Sequence, residues 1–338
     1  MKRKILYAQD MDVSGKRMVE EAGFEIVMAP DENVETMKRL IKDCEAVVSK
    51  TFFLSEDILK AGEKLQVVAK HGVGIDNVVD LDTATRLGLY VVNTPEANSD
   101  SVAEKTIAGI LAFSEKIVGQ HLATKEFDFE AQNCGDMHEI KGKTLGLIGL
   151  GNIGRRVAKI AANGFDMKVL GYDPFIKKEL LPDYVELVDD IERIYKESDF
   201  VSLHLGATPE TVGMIGKKQL ALMKKTAVLV NNARGALVIE GDLADAIKNG
   251  DIAGAVLDVF SEEPARPSDP LIPLDHVLLS PHCAALTDEA MEKMSAGAAR
   301  GMIEVLTGKK PTWCLNYELV QKVREGKGAL HENTQMVG

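Results

Sequence analysis

The sequence predicts an α/β protein of two domains, each a doubly wound parallel sheet. Three observations lead there. Short apolar runs alternate with helical patterns along most of the chain. A second series of such runs starts near Lys143 and opens on a glycine-rich turn. The length, 338 residues, is about that of two ordinary domains.

In chain order, residues 5–8, 24–28, 46–49, 67–69 and 90–92 read as strands, and residues 32–42 and 80–87 have helical spacing between them. Residues 98–122 read as one long helix, with Ser99 or Asp100 as its N-cap, that joins the two series. The second series has strands at 144–148, 168–171, 200–203, 227–230, 254–257 and 277–279, with helices between them. Six such strands make a complete dinucleotide-binding domain. A second long helix, 287–306, returns the chain to the first series. The expected division is 1–98 with 288–338 as the substrate domain and 99–287 as the cofactor domain. Residues 321–338 are polar and are expected to be mobile or to pack as an addition.

Composition narrows the function. A net charge of -12 disfavours nucleic acid and anionic membrane as partners. The four cysteines form no C-x-x-C pair, so free thiols are expected and neither a disulfide framework nor a metal site. The first apolar run ends at Asp10, too early for a signal peptide, and no run reaches the roughly 18 residues of a membrane helix. The expected setting is cytoplasmic.

The turn Gly149-Leu150-Gly151-Asn152-Ile153-Gly154 sits between a strand and a helix. Gly149 permits the tight turn, Gly151 lets backbone approach a pyrophosphate, and Gly154 lets the helix pack close to the strand. The amides of Asn152 and Ile153 then face the phosphates. Asp173 follows the next strand, 19 residues past Gly154. A carboxylate there binds the ribose hydroxyls and repels a 2′-phosphate, which favours NAD, although Lys177 and Lys178 lie close in sequence.

Three later strand ends carry polar groups: Asn231-Asn232-Ala233-Arg234-Gly235, Asp258 with Glu263, and Ser280-Pro281-His282. Reduction of a 2-oxo acid requires a cation for the carboxylate and an acid that protonates the new alkoxide. Arg234 suits the first role and His282 the second, and Glu263 stabilises the imidazolium if the two loops meet.

These residues, with Lys70-His71-Gly72-Val73-Gly74-Ile75-Asp76-Asn77, Val92-Asn93-Thr94-Pro95, Ser101-Val102-Ala103-Glu104 and Glu262-Glu263-Pro264, resemble the D-isomer-specific 2-hydroxyacid dehydrogenases, most of all the D-3-phosphoglycerate dehydrogenase branch. The resemblance runs over about residues 45–310. It implies two Rossmann-like domains, with the cofactor domain inserted into the substrate domain, and commonly a homodimer. It implies Arg234, Glu263 and His282 as the catalytic set, and Asp258 as the contact to the nicotinamide carboxamide. Asn232, Ala233, Arg234, His282 and Ala285 join the glycine turn and Asp173 around NAD. Gly72, Val73 and Gly74 resemble a substrate-carboxylate loop. Where the family often has an arginine, this chain has Ser49 and Lys50, so Lys50 is the expected contact for a substrate's far end. The segment 204–208 lacks the family's usual proline after the histidine, and no C-terminal serine-sensing domain is expected. The first substrate expectation is 3-phosphoglycerate, and hydroxypyruvate or glyoxylate the second. A corepressor-like NAD(H) sensor is the alternative from another class.

Overall fold

The computed structural model describes residues 2–133 and 135–326. Cys134 and the last part of the polar tail, 327–338, lie outside the described residues.

The chain opens with β1 (Lys4–Tyr7), α1 (Val13–Glu21), β2 (Glu25–Met28), α2 (Val34–Ile41), β3 (Cys44–Ser49), α3 (Glu56–Ala61), β4 (Val67–Lys70), α4 (Leu81–Arg86) and β5 (Tyr90–Val92). Helix starts are set by short polar side chains: Asp12 accepts from the Ser14 amide, Asn33 from Glu35, and Asp80 from Thr83. The strands form a parallel sheet in the order β2-β1-β3-β4-β5. Strand alternation divides the core in two. Ile5, Tyr7, Ala46, Val48, Val67, Ala69, Tyr90 and Val92 face one side, and Leu6, Val47, Val68 and Val91 the other.

A second compact unit spans Ser99–Leu286. It contains α5 (Ser99–Ser114), α6 (Ile117–Lys125), β6 (Thr144–Ile148), α7 (Asn152–Phe165), β7 (Lys168–Tyr172), β8 (Val185–Leu187), α8 (Ile191–Glu197), β9 (Phe200–Leu203), α9 (Lys217–Leu220), β10 (Val228–Asn231), α10 (Glu240–Lys248), β11 (Gly254–Leu257) and β12 (Val277–Leu279). Its parallel sheet runs β12-β11-β10-β9-β6-β7-β8, so the strand order reverses between β6 and β9. α5 and α7 cover one face through Ile107, Ile110, Val157 and Ala161. α8, α9 and α10 cover the other through Ile194, Leu220, Leu243 and Ile247.

The chain then returns to the first unit with α11 (Asp288–Leu306), capped by Thr287, and α12 (Tyr317–Arg324). Ala298, Ala299, Met302 and Val305 of α11 join the face formed by Ile5, Tyr7, Val48 and Val92.

Three expectations need correction. The second sheet has a seventh strand, β8, a three-residue edge element beside β7. The helix read over 98–122 is two helices. The Ser114 carbonyl accepts the His138 amide, Lys116 adopts a left-handed φ of 53°, and the chain restarts as α6. Ser99 and Asp100 form the first turn of α5 and do not cap it, and Asp100 holds Arg156 of α7. The described start of the tail packs as an addition, one of the two outcomes expected for it: Gln321 donates to the Tyr90 hydroxyl at 2.7 Å, and Arg324 to the Gly88 carbonyl at 2.8 Å.

No helix among the described residues is long and apolar enough to cross a membrane, and no described cluster of His, Cys, Asp or Glu is arranged to hold a metal.

Candidate active site

Open α/β sheets bind ligands outside the carboxyl ends of their strands, where the strand order reverses. In the second unit that place follows β6 and β9. Gly149 has φ +95°, and a Cβ on it would lie 2.4 Å from the His204 carbonyl oxygen, so the turn after β6 and the loop after β9 touch backbone to backbone. A Cβ on Gly154 would lie 2.2 Å from the Gly149 carbonyl oxygen, which keeps α7 tight against the turn. A Cβ on Gly151 would meet nothing within 4 Å, so this glycine faces open space. The bonding of α7 begins with the Arg155 amide to the Gly151 carbonyl, so the amides of Ile153 and Gly154 precede it at the positive end of the helix. Asp173 is drawn to the same turn: Oδ2 accepts the Leu150 amide at 2.9 Å, and Oδ1 the Phe175 amide at 2.9 Å. An open glycine, helix-terminal amides and a fixed carboxylate fit the pyrophosphate and ribose of a dinucleotide.

His204 was not anticipated as part of this region. Its Nε2 lies 2.9 Å from Ser202 Oγ, and burial pushes its pKa down to about 4, so the ring is neutral near pH 7.

The loop after β10 carries Arg234. Asn231 shapes it from below: its side-chain oxygen accepts the Ala233 amide at 3.0 Å, and its nitrogen donates to the Arg234 carbonyl at 2.8 Å. Asn232 is anchored to α5 through Thr106 Oγ1 at 3.0 Å. Gly235 lies against the loop after β11, where a Cβ would sit 1.9 Å from the Phe260 carbonyl carbon. Only glycine permits that approach, and it brings the Arg234 loop beside the Glu263 loop.

Asp258, at the end of β11, is buried at 1% exposure. Its carboxylate accepts from Ser280 Oγ, from the Cys283 amide at 3.0 Å and from the Ala284 amide at 2.8 Å, and its carbonyl accepts the His282 amide at 2.7 Å. Asp258 therefore holds the whole loop after β12, a task the sequence did not reveal. Within that loop His282 adopts a left-handed φ of 51°, uncommon for a side chain with a Cβ. Ala285 lies in the turn beyond Ala284.

His282 Nδ1 meets Glu263 Oε2 at 2.6 Å. Burial alone would raise the Glu263 pKa. The hydrogen bonds from His282 and the Phe260 amide, with the charges of His282 and Arg234, outweigh burial and hold it below the usual value. The second unit thus brings Arg234, Glu263, His282 and Asp258 to neighbouring strand ends of one sheet.

Lys50 and Gly72–Gly74 belong to the first unit. Gly72 has φ +126° and exchanges hydrogen bonds with Thr94, and Asn93 donates to the Val73 carbonyl at 2.8 Å. Lys50 follows β3, and its amide donates to the Gln9 side chain at 2.9 Å. Gln9 was overlooked in the sequence, and the buried Lys70 was noted only as part of the run to Asn77, with no role of its own. Each is a polar residue at a strand end, the signal that found Arg234 and His282.

The model of the D-isomer specific 2-hydroxyacid dehydrogenase NAD binding domain matches residues 107–284. A D-3-phosphoglycerate dehydrogenase of Methanocaldococcus jannaschii is 39% identical over 96% of this chain, which spans 61% of that relative's length. A glyoxylate reductase of Korarchaeum cryptofilum is 38% identical over 96% of this chain and 98% of its own. Among solved structures, the NAD-complexed D-isomer specific 2-hydroxyacid dehydrogenase of Lactobacillus delbrueckii ssp. bulgaricus superposes with a TM-score of 0.78 at 27% identity, covering 93% of this chain and 100% of its own. The domain match and the near full-length identity to these relatives make this chain a member of the D-isomer specific 2-hydroxyacid dehydrogenase family.

Proposed function

We propose that the chain is an NAD-dependent oxidoreductase that interconverts a D-2-hydroxy acid and its 2-oxo acid. The observation that carries this reading is the His282–Glu263 pair at 2.6 Å, held in the same unit as Arg234 and the glycine turn. NAD, when bound, supplies or accepts the hydride at the substrate's C2.

In the reductive direction, the Arg234 guanidinium holds the substrate carboxylate through parallel hydrogen bonds and polarises the C2 carbonyl. His282 Nε2 would give its proton to the substrate's C2 oxygen. Nδ1 remains on Glu263, whose carboxylate stabilises the imidazolium beforehand. In the oxidative direction the same nitrogen takes the hydroxyl proton. Asp258 keeps the histidine loop in register, and its remaining lone pairs suit the nicotinamide carboxamide. Asp173 would accept the ribose hydroxyls, Gly149, Gly151, Asn152, Ile153 and Gly154 would hold the pyrophosphate, and Asn232, Ala233 and Ala285 would complete the cofactor site. Lys50 and Gly72, Val73 and Gly74 serve the substrate.

Oxidation of NADH in the presence of phosphohydroxypyruvate, hydroxypyruvate, glyoxylate and bulkier 2-oxo acids tests the reading. Turnover with at least one supports it. Tight NADH binding with no oxidation across the panel sinks it in favour of the sensor. Both phosphoglycerate dehydrogenases and glyoxylate reductases stand among the relatives, so the panel also decides the substrate.

The partner we propose is a second copy of the chain. α6 buries none of its residues, and Leu122 and Phe127 are 58% and 86% exposed. An apolar arm of this kind suits a subunit contact. Sedimentation that yields a monomer at micromolar concentration would overturn this. The three described cysteines are free thiols, which supports a cytoplasmic setting.

A further inference from the structure

The first unit has a ligand crevice of its own by topology. In the order β2-β1-β3-β4-β5 the chain reverses direction across the sheet between β1 and β3, and the crevice opens outside the carboxyl ends of those two strands. Ala8-Gln9-Asp10 follow β1, and Lys50-Thr51-Phe52 follow β3.

The donors of this crevice converge on one atom. The side-chain oxygen of Gln9 accepts the amides of Lys50 at 2.9 Å, Thr51 at 3.0 Å and Phe52 at 3.3 Å, and Ser49 Oγ approaches at 3.4 Å. The Gln9 nitrogen donates to Thr51 Oγ1 at 2.9 Å, which fixes the orientation of the carboxamide. Successive amides gathered on one point are how backbone binds an anion. Here a neutral carboxamide from the chain itself takes that point.

The nearby cations do not replace these amides. The Lys70 ammonium donates to the Lys50 carbonyl and to Asn77 Oδ1, and the residue is 7% exposed, so it fastens the loop from beneath. His71 is 5% exposed, and burial together with the charges of Lys50 and Lys70 pushes its pKa down to about 4. It brings no charge near pH 7. Lys50 is half-buried, and the nearby Asp10 carboxylate is taken up by Lys16. One flexible ammonium is a poor match for a phosphate dianion, which is best held by several fixed donors or a guanidinium fork.

We infer that the 2-oxo acid this chain reduces carries no phosphate, and that Gln9 sets that choice by occupying the amides of Lys50, Thr51 and Phe52. The inference rests on the D-2-hydroxyacid dehydrogenase reading above.

The test is calorimetric titration of the full chain loaded with oxidised NAD, which has no hydride to give, with hydroxypyruvate and with phosphohydroxypyruvate, for wild type, Gln9→Ala and Gln9→Glu. Wild type is expected to bind hydroxypyruvate about tenfold tighter, and Gln9→Ala, which releases three amides, to narrow that ratio by about tenfold. Gln9→Glu keeps an acceptor against the amides and adds a negative charge, so it widens the ratio. Tighter wild-type binding of phosphohydroxypyruvate overturns the inference, as does the same ratio in all three proteins. If Gln9→Ala fails to fold, the wild-type and Gln9→Glu ratios decide. NADH oxidation with the same compounds is followed in parallel. Its absence overturns the catalytic reading alone, because the binding ratio does not depend on turnover.

Discussion

His282 Nδ1 and Glu263 Oε2 lie 2.6 Å apart, although their loops follow different strands, β12 and β11. The bond fixes which imidazole nitrogen is left for the substrate. With Nδ1 occupied, only Nε2 can exchange a proton with a bound hydroxyl or alkoxide. His282→Ala is expected to lower kcat by on the order of 10³ while NADH affinity, measured by fluorescence titration, stays nearly constant. Unchanged turnover in that variant would remove His282 from the mechanism.

Glu263→Gln separates charge from shape. The amide can still accept a hydrogen bond but no longer stabilises an imidazolium. In the reductive direction kcat at neutral pH should fall by about tenfold or more, with a smaller change in KM. Wild-type kcat in this variant would show that the carboxylate's charge is not used.

Arg234→Lys keeps the positive charge and loses the fork. Both the carboxylate clamp and the polarisation of C2 should suffer, lowering kcat/KM by about 10- to 100-fold. Steady-state kinetics on the best 2-oxo acid measures this, and full activity in the lysine variant would argue for a simple point charge.

Asp173→Ala leaves the Leu150 amide without its acceptor and removes the carboxylate that repels a 2′-phosphate. The ratio of kcat/KM for NADPH over NADH should rise by about tenfold or more. An unaltered ratio would place the selectivity elsewhere, with Lys177 and Lys178 the next residues to vary.

Acid stability follows from His71. Its pKa falls from 6.5 to about 4 on folding, so the folded protein binds a proton there less readily than the unfolded chain. The stability carried by the neutral ring is complete above the unfolded value of about 6.5 and declines as pH drops towards 4, by a few kcal/mol at about 1.4 kcal/mol per unit. Its Nε2 is buried with no hydrogen-bond partner, while the ring also bonds to the backbone of His71 and Met291, so a phenyl ring fills the same space but lowers the stability at all pH values. Urea unfolding from pH 7 to pH 4 should show a shallower decline in His71→Phe than in wild type. Parallel curves would refute the assignment.

What the sequence disclosed, and what it hid, follows the range of the forces involved. The glycine turn was legible because its pattern is local: Gly149, Gly151 and Gly154 stand within six residues between a strand and a helix, and Gly154 packs on Gly149. The catalytic trio was legible from residue type at strand ends. The latch of Asp258 on Ser280, Cys283 and Ala284 was not, because it joins residues 22 to 26 positions apart. Gln9 escaped notice for the same reason, since its partners lie some forty residues downstream. The break between α5 and α6 has no glycine or proline to announce it, because its cause is the His138 amide far along the chain. β8 was too short to show a period, and its middle residue, Glu186, is exposed.

The placement of α11 also bears on how the protein is made. Ile5, Tyr7, Val48 and Val92 are synthesised early, yet the face they share is closed by Ala298, Ala299, Met302 and Val305. Between them lies the whole second unit, a continuous stretch of chain with its own core. A ribosome therefore releases a finished Ser99–Leu286 unit while one side of the first sheet still lacks its cover. That apolar face must stay protected until α11 emerges, so nascent chains halted before Asp288 should engage holdase chaperones more strongly than chains extended past Leu306.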